Sequence, residues 1–371
     1  MAHLHAVMAL MLLCYAANGQ EGPERILQQA IAAHQAGQLD RAISQYRAYL
    51  KLRPDAVDAR SNLGVALAST GRYGEAIAEY REALKRRPQD PHIRLNVALA
   101  YYKLGQVTDA AVWLSALHRE QPADRQIILL LADCWLRQGE DRKVIDLLTP
   151  VEERDQSDLA IAYVLGTALL RDRQIDRGQQ MIDRILRNGD SAEAHLLLGT
   201  ARLNAGEYDA AIADFEQAAQ LNPHLPEVYS YLGRAHIQTG DTAAARLGFQ
   251  KELEQNPNDF ESNLNLGALL RQDQDYDGAR KLLDRALQVR PGDLRARFQL
   301  AASNLAAGRL NEARAGLEAV VKEAPRFVEA HISLAAVYYR LQRRADGDRE
   351  KALAQKLTVE QRAGQPQGKV Q

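Results

Sequence analysis

Cysteine is nearly missing from this chain of 371 residues: only Cys14 and Cys134 occur. Cys14 falls within an apolar leader, so one thiol remains and an intramolecular disulfide framework is excluded. Aromatic residues are scarce at 6%, so the core that 46% hydrophobic residues allow must be built mainly from alanine and leucine. Charge of one sign is lacking too. The formal net charge is -1 with 26% charged residues, which excludes a general attraction to nucleic acid or anionic lipid. Beyond the leader no apolar run is long enough to span a bilayer. The later histidines are scattered without metal-ligand spacing, and there is no phosphate-cradling glycine loop or serine elbow. No catalytic residue, metal site or cofactor is expected. His195, His236 and His331 read as packed rings, and Cys134, near Leu131 and Trp135, as a small core residue.

The leader itself, Ala6 to Ala17, reads AVMALMLLCYAA and is followed by Ala17-Asn18-Gly19 and a polar stretch. Small residues at the two positions that a signal peptidase inspects make residues 1–19 a signal peptide by this reading, with cleavage near Gly19. Export to the periplasm or the medium is then expected. The alternative is the apolar first helix of a cytoplasmic protein, because no lysine or arginine precedes the run.

What is abundant is a period. Prolines fall at Pro54, Pro88 and Pro122 and again at Pro223, Pro257, Pro291 and Pro325, each series spaced by 34 residues. Leu-Gly pairs keep the same clock at Leu63-Gly64, Leu198-Gly199, Leu232-Gly233 and Leu266-Gly267. Twelve residues after the small residue comes an alanine such as Ala76 or Ala245, and four later a large apolar residue such as Tyr80 or Phe249. Apolar residues at helical intervals give two helices per unit. Small residues let the pair approach, and the large ones fill the space beside them. A glycine near the fifteenth position (Gly37, Gly71, Gly105, Gly139, Gly206, Gly240, Gly308) permits a left-handed turn between the two helices. The proline then stops the second helix.

Leu-Gly, then Ala-x-x-x-Tyr, then Pro resembles the tetratricopeptide repeat family, most cleanly in Leu63-Gly64, Ala76, Tyr80, Ala83 and Pro88. The resemblance implies an all-α fold, a right-handed α-solenoid of about ten helix-turn-helix repeats over residues 20–343. Units start near residues 23, 57, 91, 125, 159, 192, 226, 260, 294 and 328. A polar capping helix is expected over 344–362 and a disordered tail over 363–371. The units from 125 and 159 depart from the pattern, with Val144 and Gly178 at the alanine position and no closing proline.

In this family the first helix of each unit lines a concave surface. The positions that usually face it hold Asn62, Asn96 and Asn265, whose carboxamides could grip a peptide backbone irrespective of sequence. Lys103, Arg137 and Arg171 recur at one position in three consecutive units, with Tyr102 beside the first. They would favour an acidic segment, although cations near a helix C-terminus are also favoured by the macrodipole. The acidic row at the second position, including Glu24, Asp58, Glu227 and Glu261, reads as first-turn helix charge. The family's carboxylate clamp is absent, since Leu27, Ser61 and Leu95 stand where it needs lysine. The resemblance implies a non-catalytic scaffold that holds an extended peptide or partner protein. The alternative is an accessory subunit presenting substrates to a separately encoded glycosyltransferase or envelope-assembly machine. Should the partner sit elsewhere, the later units offer Tyr231, Arg234 and Phe298.

Overall fold

The 34-residue clock becomes twenty α-helices and no strand among the described residues, which in this computed structural model are 22–189 and 191–363. The expected leader and the tail beyond residue 363 lie outside them. The helices cluster into two compact units that divide at Leu131 and Ala132.

The first unit holds α1 (Pro23–Gln35), α2 (Leu39–Leu52), α3 (Val57–Ser69), α4 (Tyr73–Leu84), α5 (Pro91–Lys103), α6 (Val107–Glu120) and the start of α7 (Arg125–Gln138). The second unit takes the C-terminal half of α7 and continues through α8 (Asp141–Arg154), α9 (Leu159–Arg171), α10 (Ile175–Leu186), α11 (Ala192–Ala205) and α12 (Tyr208–Leu221). It goes on with α13 (Val228–Thr239), α14 (Thr242–Gln255), α15 (Phe260–Gln272) and α16 (Tyr276–Val289). It closes with α17 (Leu294–Ala306), α18 (Leu310–Glu323), α19 (Val328–Arg340) and α20 (Arg344–Ala363). No described helix is long and apolar enough to cross a membrane.

Side chains set where helices begin. Asp90, Asp158, Asp241, Asp259, Asp275 and Asp293 each accept a backbone N–H from the first turn that follows, which satisfies donors that a helix start leaves open. The turn between paired helices needs one left-handed residue, and all seven glycines read from the sequence supply it, with φ between 70° and 84°. Three repeats lack the glycine and still make the turn. Arg173, Gln274 and Gln342 hold φ of 61°, 67° and 61° at the same phase, at a cost of roughly 1–2 kcal/mol each for an L side chain.

The core follows the small-large pairing. Tyr80 in the first unit and Phe215 and Phe249 in the second are at most 2% exposed, each worth about 1.5–3 kcal/mol of apolar burial. A Cβ added to Gly233 would lie 2.5 Å from the Phe249 ring, and one on Gly199 would lie 2.6 Å from Phe215. Small residues here are a steric requirement. The irregular units are compensated within the second unit: Val144 is fully buried, and Leu170 fills the space beside Gly178.

First helices of successive repeats also touch one another. In the first unit α3 packs on α5; in the second the contacts run α9 to α11 to α13 to α15 to α17 to α19. Within the second unit these helices form a continuous layer, and each repeat's own second helix packs against it. Cys134 and His331 are both buried core residues as expected, and His331 bonds to Glu350 at 2.6 Å and to the Pro325 carbonyl at 3.0 Å.

Candidate binding site

The second unit's first-helix layer encloses a polar cavity of about 270 Å³. Its floor is the carbonyl end of α7. A helix C-terminus leaves carbonyls unpaired and carries partial negative charge, and here two arginines from distant repeats cover it. Arg171, the last residue of α9, donates from Nη1 to the Leu136 carbonyl at 3.1 Å. Arg290, which caps α16, donates from Nε to the Arg137 carbonyl at 2.6 Å, although 153 residues separate them in sequence.

Arg171 is held from its other side. Its Nη2 pairs with the Glu227 carboxylate, its Nε donates to the Tyr231 phenol at 3.1 Å, and Asp141 lies 4.0 Å away. Glu227 reaches this position through an unusual backbone. Helix α13 starts only at Val228, and Glu227 before it sits in the left-handed region at φ 67°. Strain at a side chain that ties together two repeats marks a position whose geometry is enforced by its surroundings. Glu261, the second residue of α15, pairs with Arg295 at 2.9 Å and with Arg290 at 3.5 Å, while Arg290 lies over the Phe260 ring at 4.1 Å.

Burial and pairing pull the acids apart. Burial disfavours the Glu227 charge, but Arg171 outweighs it and holds the carboxyl below its ordinary value. Glu261 is likewise buried and is held low by Arg295, Arg234 and Arg290. Behind them the buried Glu252 accepts the Glu227 backbone N–H at 3.0 Å. Burial, with Asp259 nearby, pushes its pKa up to about 8, so near neutrality it is mostly a protonated, uncharged acid. Burial also raises Asp141 and Asp259.

The residues expected from sequence fall in different places. In the first unit, Asn62 on α3 and Asn96 on α5 are half-buried on helices that touch, and Asn62 lies near the Tyr46 phenol. Tyr102 is half-buried and Lys103 exposed at the end of α5. In the second unit, Arg137 and Arg171 line the polar cavity together. Arg137 pairs with Asp133 at 2.7 Å, and Arg171 is committed to Glu227. Asn265 is outside the cavity lining and donates to its own helix at the Glu261 carbonyl, 2.7 Å. Of the later residues, Tyr231 and Arg234 line the cavity, whereas Phe298 packs on Phe327 at 4.9 Å between ring centres. Sequence reading missed Arg290 and read Glu227 and Glu261 as helix charge. The delayed start of α13 after Pro226 was the one local signal at Glu227.

Two family profiles described as tetratricopeptide repeat match the chain. One matches residues 27–91 and 163–226, the other 67–134, 202–268 and 270–337. No protein with a curated description matches. Among solved structures, a tetratricopeptide repeat protein from Parabacteroides merdae ATCC 43184 shares 15% identity at a TM-score of 0.56. That match covers 71% of this chain and 98% of the other, and it is a likeness of fold. A structure titled "MamA RS-1 ArsTM double mutant" shares 22% identity over 47% of this chain and 97% of its own, at a TM-score of 0.42.

Proposed function

The chain belongs to the tetratricopeptide repeat family and is a protein-interaction scaffold; on that premise we propose that a partner's extended segment lies along its first-helix layers. The observation that carries this reading is the pair Asn62 and Asn96. Two carboxamides stand half-exposed on neighbouring first helices in mutual contact, α3 and α5. A carboxamide offers both a donor and an acceptor to a peptide group. Tyr102 and Lys103 stand at the end of α5 in the first unit, and Arg137 and Asn265 offer further polar groups in the second. Arg171 serves the second unit by holding Glu227. The exposed cation Lys103 favours an acidic partner, with an effect that salt weakens. The leader assigns the chain to the exported class, with a mature N-terminus near Gln20, which the intact mass of the protein from a secreting host checks directly.

The test is capture of partners on the mature chain, peptide mapping of what is retained, and titration with the mapped segment. Asn62→Ala with Asn96→Ala should weaken binding about ten-fold or more, as two hydrogen bonds of about 1 kcal/mol each are lost. Helicity should be unchanged. Binding equal to that of the parent chain would refute the backbone-gripping role.

A further inference from the structure

The polar cavity of the second unit has its own charge arithmetic. Five arginines and four carboxylates line it: Arg137, Arg171, Arg173, Arg234 and Arg290 against Asp141, Glu227, Asp259 and Glu261. The strong pairings are internal. Glu227 is matched by Arg171 and Glu261 by Arg295 and Arg290. Asp259 is held by the Ser230 hydroxyl at 2.9 Å and the Ser262 N–H at 2.7 Å. Arg137 is taken by Asp133, which leaves two of the five, the exposed Arg173 and the half-buried Arg234, and of these Arg234 stands on a cavity wall. Among the described residues no carboxylate lies within ion-pairing distance of Arg234, which acts on Glu261 only from further off, and its guanidinium lies 5.1 Å over the Tyr231 ring. An aromatic platform of this kind fixes the fork while leaving its N–H edges open.

The cavity also has an unmet acceptor. Asp141 Oδ1 is buried and receives no hydrogen bond, with the Arg171 guanidinium no nearer than 4.0 Å. A buried acceptor without a donor destabilises the fold that holds it. A ligand that relieves both conditions brings an anion to Arg234 and an N–H to Asp141. A carboxylate carried on a peptide does both, because the backbone beside it supplies the donor.

We propose that this cavity is a subsite for one carboxylate of a partner polypeptide, received by Arg234 on its Tyr231 platform with Asp141 taking a neighbouring backbone N–H. The proposal rests on the scaffold reading but uses none of the first unit's asparagines. Strained Glu227 fits this role: by holding Arg171 on the carbonyl end of α7, it keeps that cation from collapsing onto the incoming charge. The carboxylate comes either from an acidic side chain or from a chain terminus, and the assay separates the two.

The probes are fluorescein-labelled peptides followed by anisotropy at low salt: alternating glycine and glutamate with an amidated end, alternating glycine and glutamine with an amidated end, and the latter with a free terminal carboxylate. At least one carboxylate peptide should bind saturably and about ten-fold more tightly than the neutral amide; which one gains identifies the source. Arg234→Gln should weaken that binding about ten-fold, Arg234→Lys should restore part of it, and Arg326→Gln, an exposed control, should leave it unchanged. Circular dichroism of each variant confirms folding. The proposal is overturned if neither carboxylate peptide binds, if the neutral amide binds equally, or if Arg234→Gln binds like the parent. The loss caused by Arg234→Gln should recur at the same size in the Asn62→Ala with Asn96→Ala background, whatever the asparagines themselves contribute to binding, so loss of the first unit's role and loss of this subsite are read separately.

Discussion

Both units carry exposed ion pairs on the same repeat framework, and the first also holds the partly buried pairs Arg60 with Glu79 and Arg94 with Glu120; what sets the second apart is a group of shielded charges that share one cavity. In the first, pairs such as Arg86 with Asp55 and Arg47 with Glu75 stand on the surface; Arg86 and Asp55 are 64% and 71% exposed. Pairs of that kind contribute about 0–1 kcal/mol. In the second, Arg171 and Glu227 are 18% and 25% exposed and Arg290 with Glu261 15% and 21%. They lie on the inner layer, where each charge depends on its partner. A repeat's scaffold therefore says little about where its charges matter; burial decides that.

The largest expected contrast comes from removing one acid in each unit. Glu227→Ala strands Arg171 and should cost about 3–5 kcal/mol in urea unfolding followed at 222 nm, whereas Asp55→Ala should fall within about 0.5 kcal/mol of the parent. Similar losses in both would erase the distinction.

Glu252→Gln sharpens the second unit's side of the comparison through pH. With a folded value of about 8 against an ordinary 4.5, the folded chain keeps a proton that the unfolded chain releases in that window. Stability contributed by this group therefore falls as pH rises from about 4.5 to 8 and stays low above it. Glutamine mimics the protonated acid and keeps an acceptor for the Glu227 N–H. The variant should match the parent near pH 5 and be more stable at pH 8.5. A constant difference across that range would contradict the assignment.

Steric framework should not distinguish the units. Gly64→Ala meets Tyr80 and Gly233→Ala meets Phe249, so each should lose about 1–3 kcal/mol by overpacking, read from denaturant midpoints. The smallest effect is a gain. Gln274→Gly relieves a left-handed φ of 67°, and after the added freedom of the unfolded chain it should stabilise by about 0.5–1 kcal/mol. No change in thermal midpoint would mean that the Gln274 backbone is unstrained.

Legibility in the sequence followed range of interaction. The glycine turns, the alanine positions and the ring-filled spaces lie within one unit, so the 34-residue clock exposes them. Even the turns at Arg173 and Gln274 were fixed by phase although their residue types argue otherwise. The cavity was legible only in fragments. Arg290 finds its carbonyl partners 153 residues earlier, a separation that no local pattern reports. Glu227 and Asp58 occupy the same repeat position, yet Asp58 is an exposed partner of Arg87 while Glu227 is turned inward on a left-handed backbone. Position within the repeat therefore could not assign the acids their roles. Arg137 and Arg171 share one cavity lining, where Arg171 is bound internally to Glu227.

The central claim is that the first-helix layers carry the partner, and hydrogen–deuterium exchange of the chain with and without its captured partner tests it most directly. The account predicts slowed exchange on binding in α3 and α5 of the first unit and at the starts of α13 and α15 around the second unit's cavity. Protection confined to the second helices, such as α4, α14 and α16, or to α20 would contradict it.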